Sequence, residues 1–241
     1  MQVSLFGDDE AMEITDPKLP DCEPWSKLQQ LKNEKEVTGF YMSGHPLDNY
    51  KMEIDNFCNI SINTINEGLR HLKNKIFTFA GIVTSVAHKT TRNGNPFGSF
   101  IVEDFSDSIQ ITLFGDDYVS YKKFFENEGY SLLIKASVQY RYNSEDQLEI
   151  KVRSISLLPE AIEKFTKEIS LNLSMDNVNE ELIGVLSDII NANPGKCNLK
   201  IILKDNTDNI SVEMKPKRNK VNHLKFINEI KKIPNVEFRL K

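Results

Sequence analysis

The stretch IFTFAGIVTSVAHKT, residues 76–90, places apolar side chains near every second position along most of its length. A period of two residues is typical of a β-strand with one buried face. The turn-forming run RNGNP follows at residues 92–96, and two more strand patterns come after it, FGSFIVED at 97–104 and SIQITLF at 108–114. Residues 76–114 therefore predict three consecutive strands joined by short turns.

The next segment predicts a helix and then two more strands. DDYVSYKKFFENEG, residues 116–129, has the spacing of a helix with an aromatic face, with Asp116 as its N-cap. YSLLIKASVQYRY at 130–142 and QLEIKVRSISLL at 147–158 return to the strand pattern. Three strands, a helix and two strands is the order of a five-stranded OB-fold β-barrel, which we predict over residues 75–158.

Different patterns flank the barrel. Residues 1–20 are acidic and show no periodicity. Residues 21–74 predict short helices, which are too few to form a hydrophobic core of their own. Residues 159–241 predict a β-α-β-β-α-β domain, with helices over 178–193 and 222–233. The fold class is therefore multidomain α+β: a helical N-terminal segment, the barrel, and a C-terminal mixed domain.

Composition excludes several function classes. The chain is 39% hydrophobic and 27% charged, typical of a soluble globular protein, and it has no apolar run of the ~20 residues that a membrane span needs. Its three cysteines and four histidines are scattered, which argues against a disulfide framework or a zinc site and favours the reducing cytoplasm. Residues 75–157 carry nine basic and ten acidic side chains, a net charge of −1. Nucleic-acid affinity must therefore come from a local patch and from stacking.

The loops of the predicted barrel supply such a patch. OB folds bind oligonucleotides on strands two and three and on the loops between strands one and two and strands four and five. The first of these loops offers Lys89 and Arg92 to phosphates and Phe97 to bases, and its glycines allow close backbone approach. The second places Arg141 between Tyr140 and Tyr142. Aromatic and basic side chains together are typical of single-stranded DNA binding, in which bases stack on rings while cations follow the backbone.

Two alternatives to DNA binding stay open at this point. The acidic pairs Glu103-Asp104 and Asp116-Asp117 are compatible with a free-standing metal-dependent nucleotide-processing enzyme, because paired carboxylates hold catalytic cations. The same residues can equally end a strand and begin a helix, which is the interpretation we favour. The barrel can also serve protein contacts alone, with its aromatic side chains as hydrophobic anchors.

The run EKEVTGFYMSGHPL, residues 34–47, resembles a signature of bacterial replicative DNA polymerase III alpha subunits, near the end of their fingers region. In that family an OB domain follows, and Arg92-Asn93-Gly94, Glu103-Asp104 and ITLFG at 111–115 resemble its motifs. Gln2-Val3-Ser4-Leu5-Phe6 is similar to the family's sliding-clamp peptide. The resemblance covers essentially the whole chain in the same order.

The resemblance implies partners and their binding residues. Gln2, Leu5 and Phe6 are then expected to bind the sliding clamp, or beta subunit, and the barrel to bind single-stranded template DNA. The last domain is expected to dock the clamp-loader tau subunit, with Lys217, Arg218 and Lys220 as candidate contacts. The phosphoesterase-like, palm and thumb domains of the family are absent from the sequence, so we expect a non-catalytic C-terminal fragment. It should need no cofactor, because Mg²⁺ belongs to the palm.

Overall fold

The computed structural model describes residues 22–141, 146–205, 210–216 and 220–241. Within them the α-helices are α1 Lys27–Thr38, α2 Lys51–Phe57, α3 Ile62–Gly68, α4 Gly115–Tyr121, α5 Ala161–Phe165, α6 Glu180–Ala192 and α7 His223–Ile230. The strands are β1 Ile76–Thr90, β2 Pro96–Glu103, β3 Ser108–Phe114, β4 Ser131–Tyr140, β5 Leu148–Leu157, β6 Glu168–Ser174, β7 Pro194–Asp205, β8 Ile210–Met214, β9 Lys220–Val221 and β10 Val236–Leu240. Single 3₁₀ turns lie at Asp48–Tyr50, Leu69–Leu72, Lys122–Phe124, Leu158–Glu160 and Met175–Asn177.

The chain divides into two compact units, and the boundary in the sequence lies between Gly44 and His45. In the first unit, Ser26 is the N-cap of α1, and its Oγ accepts a hydrogen bond from the Gln29 amide at 3.2 Å. The helix ends at Gly39, which has a left-handed φ of 85°. Just beyond it, the Glu34 carboxylate accepts hydrogen bonds from the amides of Met42 and Ser43, at 3.1 and 2.9 Å. Hydrogen bonds from Ser43, Met42 and Gln30 lower the pKa of Glu34.

In the second unit, the first sheet is the predicted barrel. Its strand order is β3-β2-β1-β4-β5, with all neighbours antiparallel. The long β1 pairs with β4 through its first half and with β2 through its second, and a bulge between Val83 and Ser85 marks the change. Because one strand is shared by two partners in this way, the sheet curls around a core of aromatic and branched side chains. The OB-fold prediction is confirmed.

The helix that closes one end of the barrel is shorter than predicted. α4 covers only Gly115–Tyr121 and begins after Phe114, so Asp116 lies in its first turn and is not the N-cap. A 3₁₀ turn follows, and Phe125 leaves the helical conformation with φ −140° and ψ 36°. Its buried ring stacks on Phe100, with 4.5 Å between the ring centroids. The helix therefore ends where its last aromatic side chain has to enter the core.

The second sheet has the order β10-β6-β7-β8 and carries the C-terminal elements. β6 and β7 are parallel, as their connection through α6 requires, while β10 and β8 are antiparallel to their neighbours. The predicted β-α-β-β-α-β order is present with one addition: the short strand β9 pairs with β7. Lys220, a candidate tau contact, lies in β9 and is exposed. The helices cover one face of the sheet, where Leu171, Leu199 and Phe226 are buried.

A small apolar cluster lies against the first sheet and includes Ala80 of β1 and Leu133 of β4 together with Leu47 and Leu158. α2 lies beside it and contacts both β1 and α5. The elements thus follow the predicted order, while the predicted domain boundaries at residues 20, 74 and 158 stay a prediction.

Candidate nucleic-acid interface

The outer side of β1, β2 and β3 carries a row of one cation and two aromatic rings. Lys89 is directly opposite Phe97 in the β1–β2 register, and Phe97 is directly opposite Phe114 in the β2–β3 register. Opposite residues in antiparallel strands point to the same face, so the three side chains lie side by side. The two rings stack with 5.2 Å between centroids and 20° between planes. We call Lys89, Phe97 and Phe114 the stacking row.

Phe114 was missed by the sequence reasoning. It is 54% exposed, although it ends a strand whose Ile109, Ile111 and Leu113 are buried. Alternation puts it on the outer face with Gln110 and Thr112, where it is the one aromatic side chain of β3. An aromatic residue at a polar-face position was therefore the signal that could have identified it.

The loop between β1 and β2 presents its basic residue at the tip. Thr91 and Asn95 close the turn through a hydrogen bond of 2.8 Å from the Thr91 amide to the Asn95 carbonyl. Gly94 takes the left-handed φ of 81° that the turn needs, and Arg92 is exposed. Within the described residues, neither Lys89 nor Arg92 forms an ion pair, so both charges remain available to a ligand.

Gly98 has a different role from the one expected. A Cβ at this position would lie 2.7 Å from the Tyr118 ring and 2.8 Å from the Phe125 ring. It therefore gives the two closing aromatic rings room to pack on the inner side of β2, and it does not make room for a ligand on the outer side.

A groove separates β3 from β5. The two strands are the edges of the first sheet and do not pair within the described residues. The groove encloses about 470 Å³, and its lining includes Phe114, Gln110, Arg141 and Gln147. It brings Arg141, at the start of the loop between β4 and β5, to the same cleft as one end of the stacking row. Asp117 and Lys151 form an ion pair beside it.

Tyr140 has a partner that the sequence did not indicate. The Lys73 ammonium lies over its ring, 4.1 Å from the centroid, and the ring is 45% exposed. One face of Tyr140 is thus covered by a cation, and any base would have to use the other face. The last predicted aromatic of this loop, Tyr142, lies outside the described residues, as do Gln2, Leu5, Phe6, Lys217 and Arg218.

The four carboxylates of the enzyme alternative are not brought together. Glu103 pairs with Ser108 at one end of β2 and β3, while Asp116 and Asp117 follow β3 at its other end. Six residues of strand separate the two ends, which is about 20 Å at the rise of an extended chain. Asp104 already accepts hydrogen bonds from the amides of Ile62, Ser106 and Asp107, at 2.8, 2.7 and 3.0 Å. These residues do not fit a two-metal centre, and the described part of the chain holds no group of three or more potential metal ligands.

Comparison with known proteins adds the family context. Residues 77–158 match the family described as OB-fold nucleic acid binding domain, and residues 169–241 match the DNA polymerase III alpha subunit, C-terminal domain. The DNA polymerase III alpha subunit of Borreliella burgdorferi is 30% identical over 233 residues, which cover 88% of this chain and 19% of the relative. That of Escherichia coli K12 is 25% identical over 187 residues, covering 77% of this chain and 16% of the relative.

Other similarities are more local. The alpha subunit of Treponema pallidum is 34% identical over 115 residues, covering 47% of this chain and 9% of that protein. The chain therefore spans about a fifth or less of the length of these curated relatives. Among solved structures, the mitochondrial single-stranded DNA binding protein Rim1 of S. cerevisiae aligns with a TM-score of 0.28 and 15% identity, covering 35% of this chain and 95% of that one. No helix within the described ranges has the length and apolar character of a membrane span.

Proposed function

Because this chain belongs to the bacterial DNA polymerase III alpha subunits and corresponds to their C-terminal region, we propose that it holds template and partners for the polymerase and does not itself transfer nucleotides. The separation of its paired carboxylates supports this proposal. No cofactor is then needed by these residues, and the cytoplasm, where bacterial DNA is replicated, is the proposed location.

The proposed ligand of the barrel is single-stranded DNA, and the observation that carries it is the stacking row. The exposed ring of Phe114, stacked on the half-buried ring of Phe97, offers a surface on which unpaired bases can lie, and stacking contributes ~1–3 kcal/mol per base. Lys89 and Arg92 flank the rings at one end and Arg141 lies in the cleft at the other. Duplex DNA does not offer free base faces to such a row.

The test is a pair of substitutions in the whole chain. Arg92→Ala with Phe97→Ala is expected to weaken binding of a fluorescent single-stranded oligonucleotide at least tenfold, about 1.4 kcal/mol, in anisotropy titrations. The matched control, Lys225→Ala with Phe105→Ala, removes one exposed cation and one exposed ring elsewhere. Normal binding by the first variant would move the DNA site away from this face and favour a barrel that contacts only protein.

Two protein partners complete the proposal. Gln2, Leu5 and Phe6 are proposed to bind the sliding clamp, with the two apolar side chains as anchors in a pocket of the clamp and the Gln2 amide as its hydrogen-bonding group. The C-terminal domain is proposed to dock the clamp-loader tau subunit through Lys217, Arg218 and Lys220.

Exposed apolar side chains support a protein partner for the C-terminal domain. Ile210, Val212 and Met214 of β8 are opposite Asp205, Leu203 and Ile201 of β7, and so they continue the face that the helices cover elsewhere. They are nevertheless 56%, 49% and 40% exposed. Contiguous exposed apolar side chains of this kind are typical of a surface that binds another protein.

A further inference from the structure

A second group of cations lies on the other half of the barrel, on the outer side of β4 and β5 and on the neighbouring helix α5. Arg153 Nε donates a hydrogen bond to Ser137 Oγ at 3.0 Å, and Lys164 Nζ donates one to Ser156 Oγ at 2.9 Å. Lys135 is exposed and directly opposite Ser154. Each cation thus has a hydroxyl group as its neighbour.

A bulge produces this arrangement. The β4–β5 register shifts at Lys135 and Ala136, whose partners are Ser154 and Val152, so Arg153 is the extra residue of β5. Bulges turn a side chain away from the position that strict alternation would give it. Here the bulge leaves Val152 and Ile155 buried in the core while Arg153 reaches Ser137 on the outer side.

These cations lack acidic partners. No ion pair of Lys135, Arg153 or Lys164 occurs within the described residues, although the chain as a whole has a net charge of −5. By contrast, Lys151 on the same strand is neutralised by Asp117. Within the described residues, Arg153 and Lys164 donate to hydroxyl groups, which carry no net charge, and this leaves the face attractive to an anion.

A small cavity opens beside the cations. It encloses about 170 Å³, and its lining contains an ammonium group and three hydroxyl groups but no carboxylate: Phe57, Thr78, Leu133, Lys135, Ser154, Ser156 and Phe165. Lys164 brings a second ammonium group to its edge through Ser156. Pockets that enclose whole small-molecule ligands are larger, at ~300–1,000 Å³. The cavity suits a single phosphate group of a longer chain better than a complete free nucleotide.

From this combination we propose that Lys135, Lys164 and Arg153, with the hydroxyls of Ser154 and Ser156, form a second nucleic-acid site that binds backbone phosphates. Lys, Arg and Ser side chains are the usual phosphate contacts in such interfaces, and their hydrogen bonds to phosphate are charge-assisted. The site lies on β4, β5 and α5, so it is separate from the stacking row and does not rest on it. It contacts backbone only, and its binding is therefore independent of base sequence.

The experiment compares salt dependence in two double variants of the whole chain. Each neutralised phosphate contributes about −0.7 to the slope of log affinity against log salt for single strands. Lys135→Gln with Lys164→Gln is therefore expected to make the slope shallower by about 1.4 for an oligonucleotide of about 25 nucleotides and to weaken binding roughly tenfold at ~0.1 M salt. Lys135→Arg with Lys164→Arg keeps the charges and should keep the slope.

The controls separate this proposal from that for the stacking row. Lys225→Gln with Lys232→Gln makes the same charge change at exposed lysines in and just after α7, and it should leave the slope unchanged. Phe97→Ala with Phe114→Ala should weaken binding without changing the slope. An unchanged slope in Lys135→Gln with Lys164→Gln, or an equal change in the α7 control, would overturn the second site. Normal binding by the Phe97 and Phe114 variant would count only against the stacking row.

Discussion

The thiols of Cys58 and Cys197 lie in surroundings that disfavour their ionised form. Burial raises the pKa of Cys58 to about 12 and that of Cys197 to about 11, and nearby carboxylates add to both shifts. Cys22, by contrast, is exposed. Since the thiolate is the reactive form, Cys58 and Cys197 are expected to react slowly at pH 8 in the folded protein.

We therefore expect one fast equivalent in a thiol titration with a chromogenic disulfide at pH 8. Three equivalents should react after unfolding in denaturant, because the burial that raises both pKa values is then lost. Cys22→Ser should abolish the fast phase. Two or three fast equivalents in the native protein would contradict the burial of Cys58 and Cys197.

At the scale of single residues, the sequence indicated which residue types lie in the loops better than it indicated which side chains contact each other. Lys89, Arg92 and Phe97 could be proposed as ligand contacts because loop position and residue type were visible along the chain. Phe114 and Lys73 were not, because their partners Phe97 and Tyr140 come from strands whose register no local pattern specifies. Register depends on which faces become buried, and that is decided by the folded barrel.

Gly98 lies in β2 at the position where the rings of Tyr118 and Phe125 pack against the strand. Because a Cβ there would lie within 3 Å of two buried rings, Gly98→Ala should lower the free energy of unfolding by about 1–3 kcal/mol, the usual cost of overpacking. Gly184→Ala is the matched control in α6, where nothing lies within 4 Å of the added methyl. It should raise stability by ~0.5–1 kcal/mol, as expected for alanine in a helix interior. Denaturant titrations of both variants measure the difference, and equal effects would contradict the packing described for β2 and α4.

Element order was predictable where periodicity was strong, and element ends were not. Strands β1–β5 followed from alternation and turn residues, as did the main C-terminal elements. The end of α4 was predicted eight residues too late, because Phe124 and Phe125 continue its helical spacing while Phe125 actually turns into the core. β9 has two residues, too few to give any periodic signal, and it exists through its pairing with β7.

At the scale of the whole molecule, clamp binding and tau binding should be lost independently of each other, in different variants. Leu5→Ala with Phe6→Ala is expected to abolish clamp binding in surface plasmon resonance, because each truncated anchor typically costs at least ~2 kcal/mol. Lys217→Ala with Arg218→Ala and Lys220→Ala should weaken tau binding only. Each variant is the control for the other, and both should melt at the temperature of the parent chain. A sharply lowered melting temperature in the Leu5 and Phe6 variant would assign those side chains to the core.

If the barrel binds unpaired bases through the stacking row, it must prefer a single strand to a duplex. The affinity of the whole chain is compared for a single strand and for a duplex of the same length and sequence, at one salt concentration. Stacking on Phe97 and Phe114 predicts tighter binding of the single strand, with the preference lost in Phe97→Ala with Phe114→Ala. Tighter binding of the duplex, or a single-strand preference that survives both substitutions, would show that bases do not stack on Phe97 and Phe114.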